Sequence, residues 1–300
     1  MGETFRFSQH DAFERNIGLV SVNELAQLAG KLVVIPGCGG VGGVHAQTLA
    51  RMGVGRFRIS DPDSFSLANF NRQIGANIQT IGRNKAEVIA EMLLAINPQA
   101  EVTIIEGGIT RSNVASFVDG ADLLIDGIDF FALDIRRKLF AEAWKDSIPG
   151  LTAAPLGFSG TLHIFAHGGQ SFDEYFNLHD AQSSFDQFVN FLMGLAPKAL
   201  HAPYMDLSTV KPAGGRGPSS IIGVQQAACL IGAEAVRILL GSKPSFLAPS
   251  YLQFDAYRQK LTKGYLYGGN RNWLQKMKRR LVVKKFRQLK LDEAFDSIGE

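Results

Sequence analysis

The chain has 300 residues, of which 46% are apolar and 20% are charged, as in ordinary globular proteins and unlike disordered ones. Its two cysteines, Cys38 and Cys229, are too few for a disulfide framework or a four-thiolate zinc site, so we expect neither. The formal net charge of +3 is unevenly distributed, because segment 271–290 contains nine Lys or Arg residues and no Asp or Glu.

Apolar runs alternate with helical spacings through the first half of the chain. The predicted strands are Lys31–Pro36, Arg56–Ser60, Glu101–Glu106 and Ala121–Asp126, and the predicted helices are Val41–Met52, Lys85–Ile96 and Phe131–Trp144. This alternation predicts an α/β fold with a Rossmann-like, doubly wound, mainly parallel sheet. We expect an antiparallel extension of the sheet towards the C-terminus.

The second half has a different pattern. A strand is predicted at Leu162–Phe165, and the stretch Ser171–Gly217 is irregular and rich in Phe, as in a functional loop or lid. A long helix follows at Ser219–Leu240, and Tyr251–Phe254 is predicted as the last strand. The helix contains Gln, Glu and Arg, so we expect it to be buried rather than to span a membrane. No targeting signal is visible, and we expect a cytoplasmic protein.

A glycine-rich loop lies between the first predicted strand and the first predicted helix. Gly37-Cys38-Gly39-Gly40-Val41-Gly42 has the G-x-G-x-x-G spacing, in which glycine lets the backbone approach a phosphate at a helix N-terminus. Asp61 ends the next strand, where a carboxylate accepts hydrogen bonds from ribose hydroxyls. The loop predicts nucleotide binding, and by itself it leaves NAD and ATP open.

The expected organisation follows from these elements. Residues 1–165 form a nucleotide-binding α/β region, and 166–218 form a crossover or lid segment. Residues 219–270 supply a return helix and closing strands of the same domain, and 271–300 form a basic C-terminal helix or tail. The cations of the tail suit RNA, an anionic membrane or an acidic partner, although a solvated helix is the simpler interpretation.

Further motifs follow the glycine loop at regular intervals. They are Asp61-Pro62-Asp63, Asn69-Phe70-Asn71-Arg72-Gln73, Ile81-Gly82-Arg83-Asn84-Lys85, Ile96-Asn97-Pro98 and Leu124-Ile125-Asp126-Gly127-Ile128-Asp129. This ordered set resembles the superfamily of ubiquitin-activating enzymes, MoeB, ThiF and HesA. The resemblance extends from about residue 14 to 165 and resumes over 216–240.

The resemblance implies an ATP-dependent adenylyltransferase and assigns roles to individual residues. Besides the four glycines, the implied nucleotide ligands are Asp61, which would hold the ribose, Asp63, Asn69 and Gln73. Arg72 and Lys85 resemble the residues that bind the phosphates, and Asp129 resembles the aspartate that holds Mg²⁺. Arg15 matches an arginine that reaches the nucleotide of a partner subunit, which implies a homodimer.

Three departures from the family pattern stand out. Phe130 replaces an asparagine next to Asp129, and either Arg136 or Arg137 corresponds to the arginine that follows. The paired C-x-x-C zinc motifs are absent. No cysteine lies in 171–217, where the ubiquitin-activating branch carries its thioester cysteine. We expect Cys38 to be a packing residue and Cys229 to be buried and inert, so we predict that no enzyme thioester forms.

The implied reaction is the attack of a substrate carboxylate on the α-phosphorus of ATP, which gives an acyl-adenylate. The substrate would be the C-terminus of a small protein or peptide, or a carboxylate on a tRNA nucleoside, as for TcdA. Two other classes stay open from the sequence. One is an NAD-dependent oxidoreductase, and the other is a catalytically silent nucleotide-binding module, which the Phe130 departure would permit.

Overall fold

A computed structural model describes residues 6–210, 217–289 and 292. The strands are β1 Leu32–Pro36, β2 Arg56–Ser60, β3 Glu101–Ile104, β4 Leu123–Ile125, β5 Gly150–Thr152, β6 Pro155–Leu156, β7 Ser159–Phe165, β8 Ser250–Asp255 and β9 Lys260–Tyr265. The helices are α1 Gln9–Ala12, α2 Val22–Gly30, α3 Gly40–Arg51, α4 Lys85–Ile96, α5 Val114–Val118, α6 Leu133–Lys145, α7 Phe172–Phe176, α8 Ser184–Leu195, α9 Ile221–Leu239 and α10 Trp273–Gln288.

The sheet order explains where a ligand site can form. The strands lie in the order β3-β2-β1-β4-β5-β7-β8-β9, with β6 paired to β7. Neighbouring strands are parallel from β3 to β5 and antiparallel from β5 to β9. The connection reverses direction at β1, so a crevice opens beyond the carboxyl ends of β1 and β4. The predicted fold class, including its antiparallel extension, is confirmed.

Two apolar layers cover the two faces of the sheet. One face of the sheet packs against α3, α4 and α9, around buried residues such as Leu49, Ile89 and Ile231. The other packs against α5 to α8, around residues such as Phe117, Leu139 and Phe176. β1 is buried along its whole length, as expected for a parallel strand covered on both sides. The glycine loop therefore follows directly from a strand that is buried in the core.

The stretch Ser171–Gly217 is more regular than its sequence predicts. It contains α7, which begins with a capping box between Ser171 and Glu174, and α8, which begins at the N-cap Ser183. The capping residues and the apolar spacing of α8 were the available signals. Residues 211–216 lie outside the described residues, so the C-terminal end of the predicted lid is not described. β9 also follows the strand that we expected to be the last.

Within the described residues, one helix, α9, is long and apolar enough to cross a membrane by length and composition alone. Such a single match is weak evidence, because the core helix of a folded domain passes the same test. In its most apolar window, 44% of the residues are buried inside the protein. The buried face of α9 lies against α3 and β7, as expected from its sequence.

Candidate nucleotide site

The glycine loop is a point of very close backbone approach. Gly37 has φ +94°, and a Cβ placed on it would lie 2.1 Å from the carbonyl oxygen of Gly127, which follows β4. A Cβ on Gly42 would lie 1.8 Å from the carbonyl oxygen of Gly37. Among the residues that the structure describes, no side chain caps the first turn of α3, which begins at Gly40. The loop therefore leaves free backbone N–H groups at a helix N-terminus, where an anion is stabilised.

Asp61 is fixed at the base of this loop. Its Oδ2 accepts a hydrogen bond from the backbone N–H of Cys38 at 2.7 Å, and its Oδ1 accepts one from the N–H of Asp63 at 2.9 Å. Burial raises the pKa of the Asp61 carboxyl, and the two backbone hydrogen bonds and Lys85 oppose this shift. The structure thus brings Asp61 and Lys85 together at the carboxyl ends of β1 and β2.

Lys85 is the first residue of α4, and it is buried with only 7% of its surface exposed. Its Nζ donates to Oδ2 of Asp63 at 2.8 Å. Asn84 immediately precedes it, caps α4 through two backbone N–H groups, and donates to the backbone carbonyl of Asp61. Asn84 was not among the predicted site residues. Its position as an N-cap before the helix was the available signal.

The two ends of the segment Asn69–Gln73 have different environments. Oδ1 of Asn69 accepts hydrogen bonds from the backbone N–H and the hydroxyl of Ser66, so this side chain caps the short 3₁₀ helix Leu67–Asn69 to which it belongs. Gln73 is buried beside Gly39, and its Oε1 has no hydrogen-bond partner among the described residues. A buried polar atom without a partner is costly, so this oxygen has a free capacity to accept a hydrogen bond beside the glycine loop.

Arg72 lies beside the glycine loop, near Gly40. A Cβ on Gly40 would lie 3.9 Å from the Arg72 side chain, and Arg72 donates to the backbone carbonyl of Ala68 and to Oδ1 of Asn71. Burial lowers the pKa of the Arg72 guanidinium, and the charge of Asp129 opposes this shift. Asp129 and Arg72 are therefore near enough for their charges to interact.

Asp129 lies in the exposed loop between β4 and α6. Its Oδ1 accepts a hydrogen bond from the backbone N–H of Phe131 at 3.0 Å, and its Oδ2 has no partner within the described chain. Phe130 points into a cluster of aromatic rings, with its centroid 5.5 Å from Phe188 and 5.3 Å from Phe191. The departure at Phe130 therefore packs the loop against α8 instead of supplying an amide beside Asp129.

A buried ion pair fixes the position of the same loop. Nε of Arg136 donates to Oδ2 of Asp126 at 2.9 Å, and both side chains are less than 5% exposed. Arg136 also donates to the carbonyls of Ile128 at 2.6 Å and Asp129 at 3.1 Å. Arg137, in contrast, pairs with Asp173 and Asp180 of the crossover segment. Arg136 is thus the arginine that organises the loop, a role that the sequence left open.

Arg15 lies far from the other predicted site residues of its own chain. It is exposed in the short turn Glu14–Asn16, and Asn16 donates to the carbonyl of Arg51 at the last turn of α3. The glycine loop is at the other end of α3, about 18 Å away for a 12-residue helix. Arg15 therefore does not join the phosphate site of its own chain.

The two cysteines have opposite environments. Cys38 is buried in the glycine loop, and burial followed by the charge of Asp61 raises the pKa of its thiol far above the usual range. Cys229 is exposed, so the prediction that it is buried is wrong. The reason is helical phase, because Val224, Ala228 and Ile231 form the packed face of α9 and Cys229 lies on the opposite face.

We expect one thiol of the native protein to react quickly with a disulfide reagent such as Ellman's reagent, and both to react after unfolding in denaturant. Cys229→Ser should remove the fast phase, and Cys38→Ala should leave it unchanged. The Cys38→Ala/Cys229→Ala double variant should still bind ATP. A fast phase that disappears with Cys38→Ala would contradict the burial of Cys38.

No group of three or more His, Cys, Asp or Glu side chains that could hold a metal ion occurs in 6–210, 217–289 or 292. This arrangement does not exclude Mg²⁺, which binds proteins through one or two carboxylates and takes its remaining ligands from water and substrate phosphates. Asp129, with its free Oδ2, provides one such carboxylate at the crevice.

The sheet order and the glycine loop at its switch point define a Rossmann-like α/β protein. The chain belongs to the ThiF family, whose model matches residues 13–267. The resemblance inferred from the motifs is therefore confirmed.

Curated relatives match this chain over part of their length. The tRNA threonylcarbamoyladenosine dehydratase of Escherichia coli is 34% identical over 152 residues, which are 49% of this chain and 56% of that protein. The molybdopterin-synthase adenylyltransferase of Escherichia coli is 30% identical over 45% of this chain and 53% of that protein. The probable adenylyltransferase/sulfurtransferase MoeZ of Mycobacterium tuberculosis is 27% identical over 85% of this chain and 58% of that protein. The chain thus spans little more than half the length of these relatives.

Solved structures share the fold. The microcin C7 biosynthetic enzyme MccB, in complex with N-formylated MccA, superposes with a TM-score of 0.65 and 20% identity over 86% of this chain and 74% of that one. The Escherichia coli dehydratase TcdA superposes with a TM-score of 0.58 and 22% identity over 77% of this chain and 95% of that one. At these identities the likeness establishes the fold alone.

Proposed function

We propose that the protein is an ATP-dependent adenylyltransferase that activates a substrate carboxylate as an acyl-adenylate. The observation that carries the proposal is the position of Lys85 and Arg72 beside the glycine loop, at the switch point of the sheet, with Asp129 near enough to Arg72 for their charges to interact. In the reaction, a carboxylate oxygen attacks the α-phosphorus of ATP, the bond to the β-phosphate oxygen breaks, and pyrophosphate leaves. The relatives named as adenylyltransferases support this class over an NAD-dependent oxidoreductase.

The proposed roles of the residues follow from their charges. Both reactants are anionic, so catalysis consists mainly of positioning and charge neutralisation. Lys85 and Arg72 would donate to phosphate oxygens as charge-assisted hydrogen-bond donors. The unpaired Oε1 of Gln73 can accept a hydrogen bond from a donor on the ligand, and the N–H groups of the glycine loop can donate to phosphate. The substrate carboxylate is ionised at pH 7, so it needs no general base.

The residues present fit a role for Mg²⁺. When bound, Mg²⁺ would neutralise the negative charge of the phosphates. Asp129 would hold it through the oxygen that has no protein partner, while Arg136 keeps the loop in place from below. Asp63 is exposed and pairs with Lys85, so we assign it to positioning that lysine rather than to direct contact with the nucleotide.

The substrate is proposed as a carboxylate on a macromolecule, either the C-terminus of a small protein or peptide or a tRNA nucleoside. The named relatives include a tRNA dehydratase, and one structural neighbour is in complex with the peptide MccA. The proposal includes a cytoplasmic location and direct transfer without an enzyme thioester. Cys38 does not suit a thioester, since it is buried in the glycine loop. Cys229 is exposed, so Cys229→Ser is the substitution that tests direct transfer, and it should leave product formation intact.

Calorimetric titration with ATP and Mg²⁺, ATP with a chelator, and NAD tests the proposal. We expect binding of ATP that strengthens when Mg²⁺ is present, and negligible binding of NAD. Tighter binding of NAD than of ATP would refute it. ATP–pyrophosphate exchange measured with candidate peptides and with tRNA then separates an active enzyme from a catalytically silent module.

We further propose a homodimer in which Arg15 completes the partner's site. Arg15→Ala should weaken ATP binding without lowering the thermal midpoint, because its side chain is exposed. A heterodimer of one Arg15→Ala subunit and one Lys85→Ala subunit should regain one tight ATP site, because one site then has both wild-type residues. A monomer by light scattering at micromolar concentration, or a heterodimer with no tight site, would contradict this arrangement.

A further inference from the structure

We propose that α10 binds in the plane of an anionic lipid surface. The first observation is a stripe of exposed apolar side chains along this helix, Trp273, Leu274, Met277 and Leu281, which are 65%, 49%, 54% and 70% exposed. Leu274, Met277 and Leu281 follow Trp273 by one, four and eight residues, which places all four side chains on one face of the helix. We call these four side chains the lipid stripe. The proposal that they bind lipid does not depend on the proposed adenylylation activity.

The opposite face of α10 already has a partner. Phe286 is buried against Phe188 with ring centroids 6.2 Å apart, and Gln275 is buried beside Asn270. Nε of Arg279 donates to Oδ1 of Asn190 at 2.9 Å. The helix is therefore held on α8 as a fixed part of the fold, and its lipid stripe faces away from the protein.

Cations lie on both sides of the lipid stripe. By helical phase, Lys276, Arg280 and Arg287 lie along one side, and Lys284 and Lys285 lie within or beside the stripe. All five are exposed. Residues 256–291 contain 12 Lys or Arg and no Asp or Glu. Apolar side chains bordered by long cationic ones are the pattern of an in-plane interfacial helix, whose lysines reach up to the headgroups.

Two exposed aromatic residues lie just before the helix in the chain. Tyr265 and Tyr267, at the end of β9, are 65% and 77% exposed, with ring centroids 6.5 Å apart. Asn272, the N-cap of α10, donates to the carbonyl of Tyr267, which joins the two elements. Tyr and Trp side chains are enriched at the interface between membrane and water.

The charge and the apolar side chains of this surface argue against a second copy of the chain and against RNA as its partner. A second copy of this chain would bring two segments without any carboxylate against each other, which is repulsive. RNA would engage the cations, but Leu274, Met277 and Leu281 would gain no phosphate contact. An anionic bilayer satisfies both the cations and the apolar side chains.

Flotation of the purified full-length protein with vesicles tests the proposal. We expect binding to phosphatidylcholine vesicles that contain about 30 mol% phosphatidylglycerol, and weak binding to pure phosphatidylcholine. Met277→Glu/Leu281→Glu should lower the partition coefficient by more than about tenfold. Lys276→Gln/Arg280→Gln/Lys284→Gln should lower it by about fivefold for each charge removed. Leu94→Glu, on the exposed face of α4, is the matched control and should bind like the wild type.

The fluorescence of Trp273 gives a second readout, because insertion should shift its emission to the blue, and Trp273→Phe should remove the shift. Thermal midpoints of all variants are compared, so that misfolding is recognised. The proposal is overturned if the wild type does not bind anionic vesicles. It is also overturned if the glutamate variant binds them as well as the wild type does while the glutamine variant loses both vesicle and tRNA binding, since the surface would then recognise polyanions by charge alone.

Discussion

Lys85→Ala is expected to weaken ATP binding by roughly 10- to 150-fold in Kd, because a hydrogen bond to a charged phosphate contributes ~1.5–3 kcal/mol. Lys85 is buried at the start of α4, and its Nζ is within hydrogen-bonding distance of only one carboxylate, that of Asp63, among the described residues. Calorimetric titration of ATP and Mg²⁺ measures the effect without any knowledge of the carboxylate substrate.

Lys31→Ala is the matched control for this substitution. Lys31 makes the same kind of pair, with Nζ 2.9 Å from Oδ1 of Asp122, but it precedes β1 and so lies at the opposite end of the strand from the glycine loop. It should leave the Kd for ATP unchanged. Equal losses in both variants would show that Lys85 acts through stability and would remove it from the phosphate site.

Arg136→Ala is expected to lower the free energy of unfolding by about 3–5 kcal/mol, because it leaves the buried carboxylate of Asp126 without a cationic partner. Among the described residues, only the neutral donors of Ile128 and Thr152 then remain to this carboxylate. The substitution also frees the carbonyls of Ile128 and Asp129. The loop that carries Asp129 then loses its fixed position, so the Mg²⁺ dependence of ATP binding should weaken as well. Denaturant unfolding and calorimetric titration measure the two effects.

Two variants make this result interpretable. Arg111→Ala removes an exposed pair with Asp134 and should cost less than about 1 kcal/mol. Asp126→Asn/Arg136→Met removes both charges and should cost less than Arg136→Ala alone. A double variant that is no more stable than Arg136→Ala would show that the loss comes from packing rather than from the unpaired charge.

The sequence predicted the nucleotide half of the fold closely because local signals and tertiary packing agree there. Arg56–Ser60 and Lys85–Ile96 have the same bounds in the sequence prediction and in the structure. The helix has clear sequence signals at both ends, because it starts after the N-cap Asn84 and ends before Asn97-Pro98. The motif spacing also brought the glycine loop, Asp61, Arg72, Lys85 and Asp129 to one crevice, although their roles in binding remain predictions.

Other features depend on contacts that are distant in sequence. Asp126 and Arg136 are ten residues apart on different elements, and only the packing of α6 against the sheet makes them a buried pair. The aromatic contact between Phe130 and Phe188 joins residues 58 positions apart. Cys229 was misplaced because composition describes the average environment of a helix, whereas exposure depends on the face on which each residue lies.

The mutual approach of Gly37, Gly42 and Gly127 has a consequence for sequence variation. In each of the three cases the atom that a Cβ would meet is a backbone oxygen, that of Gly37 or Gly127, rather than the end of a flexible side chain. A second substitution elsewhere cannot remove a backbone atom, so no compensating partner exists for a change at these sites. In a saturation library selected for function, we expect all three positions to retain glycine alone, whereas Gly30, whose Cβ would have no neighbour within 4 Å, should accept alanine.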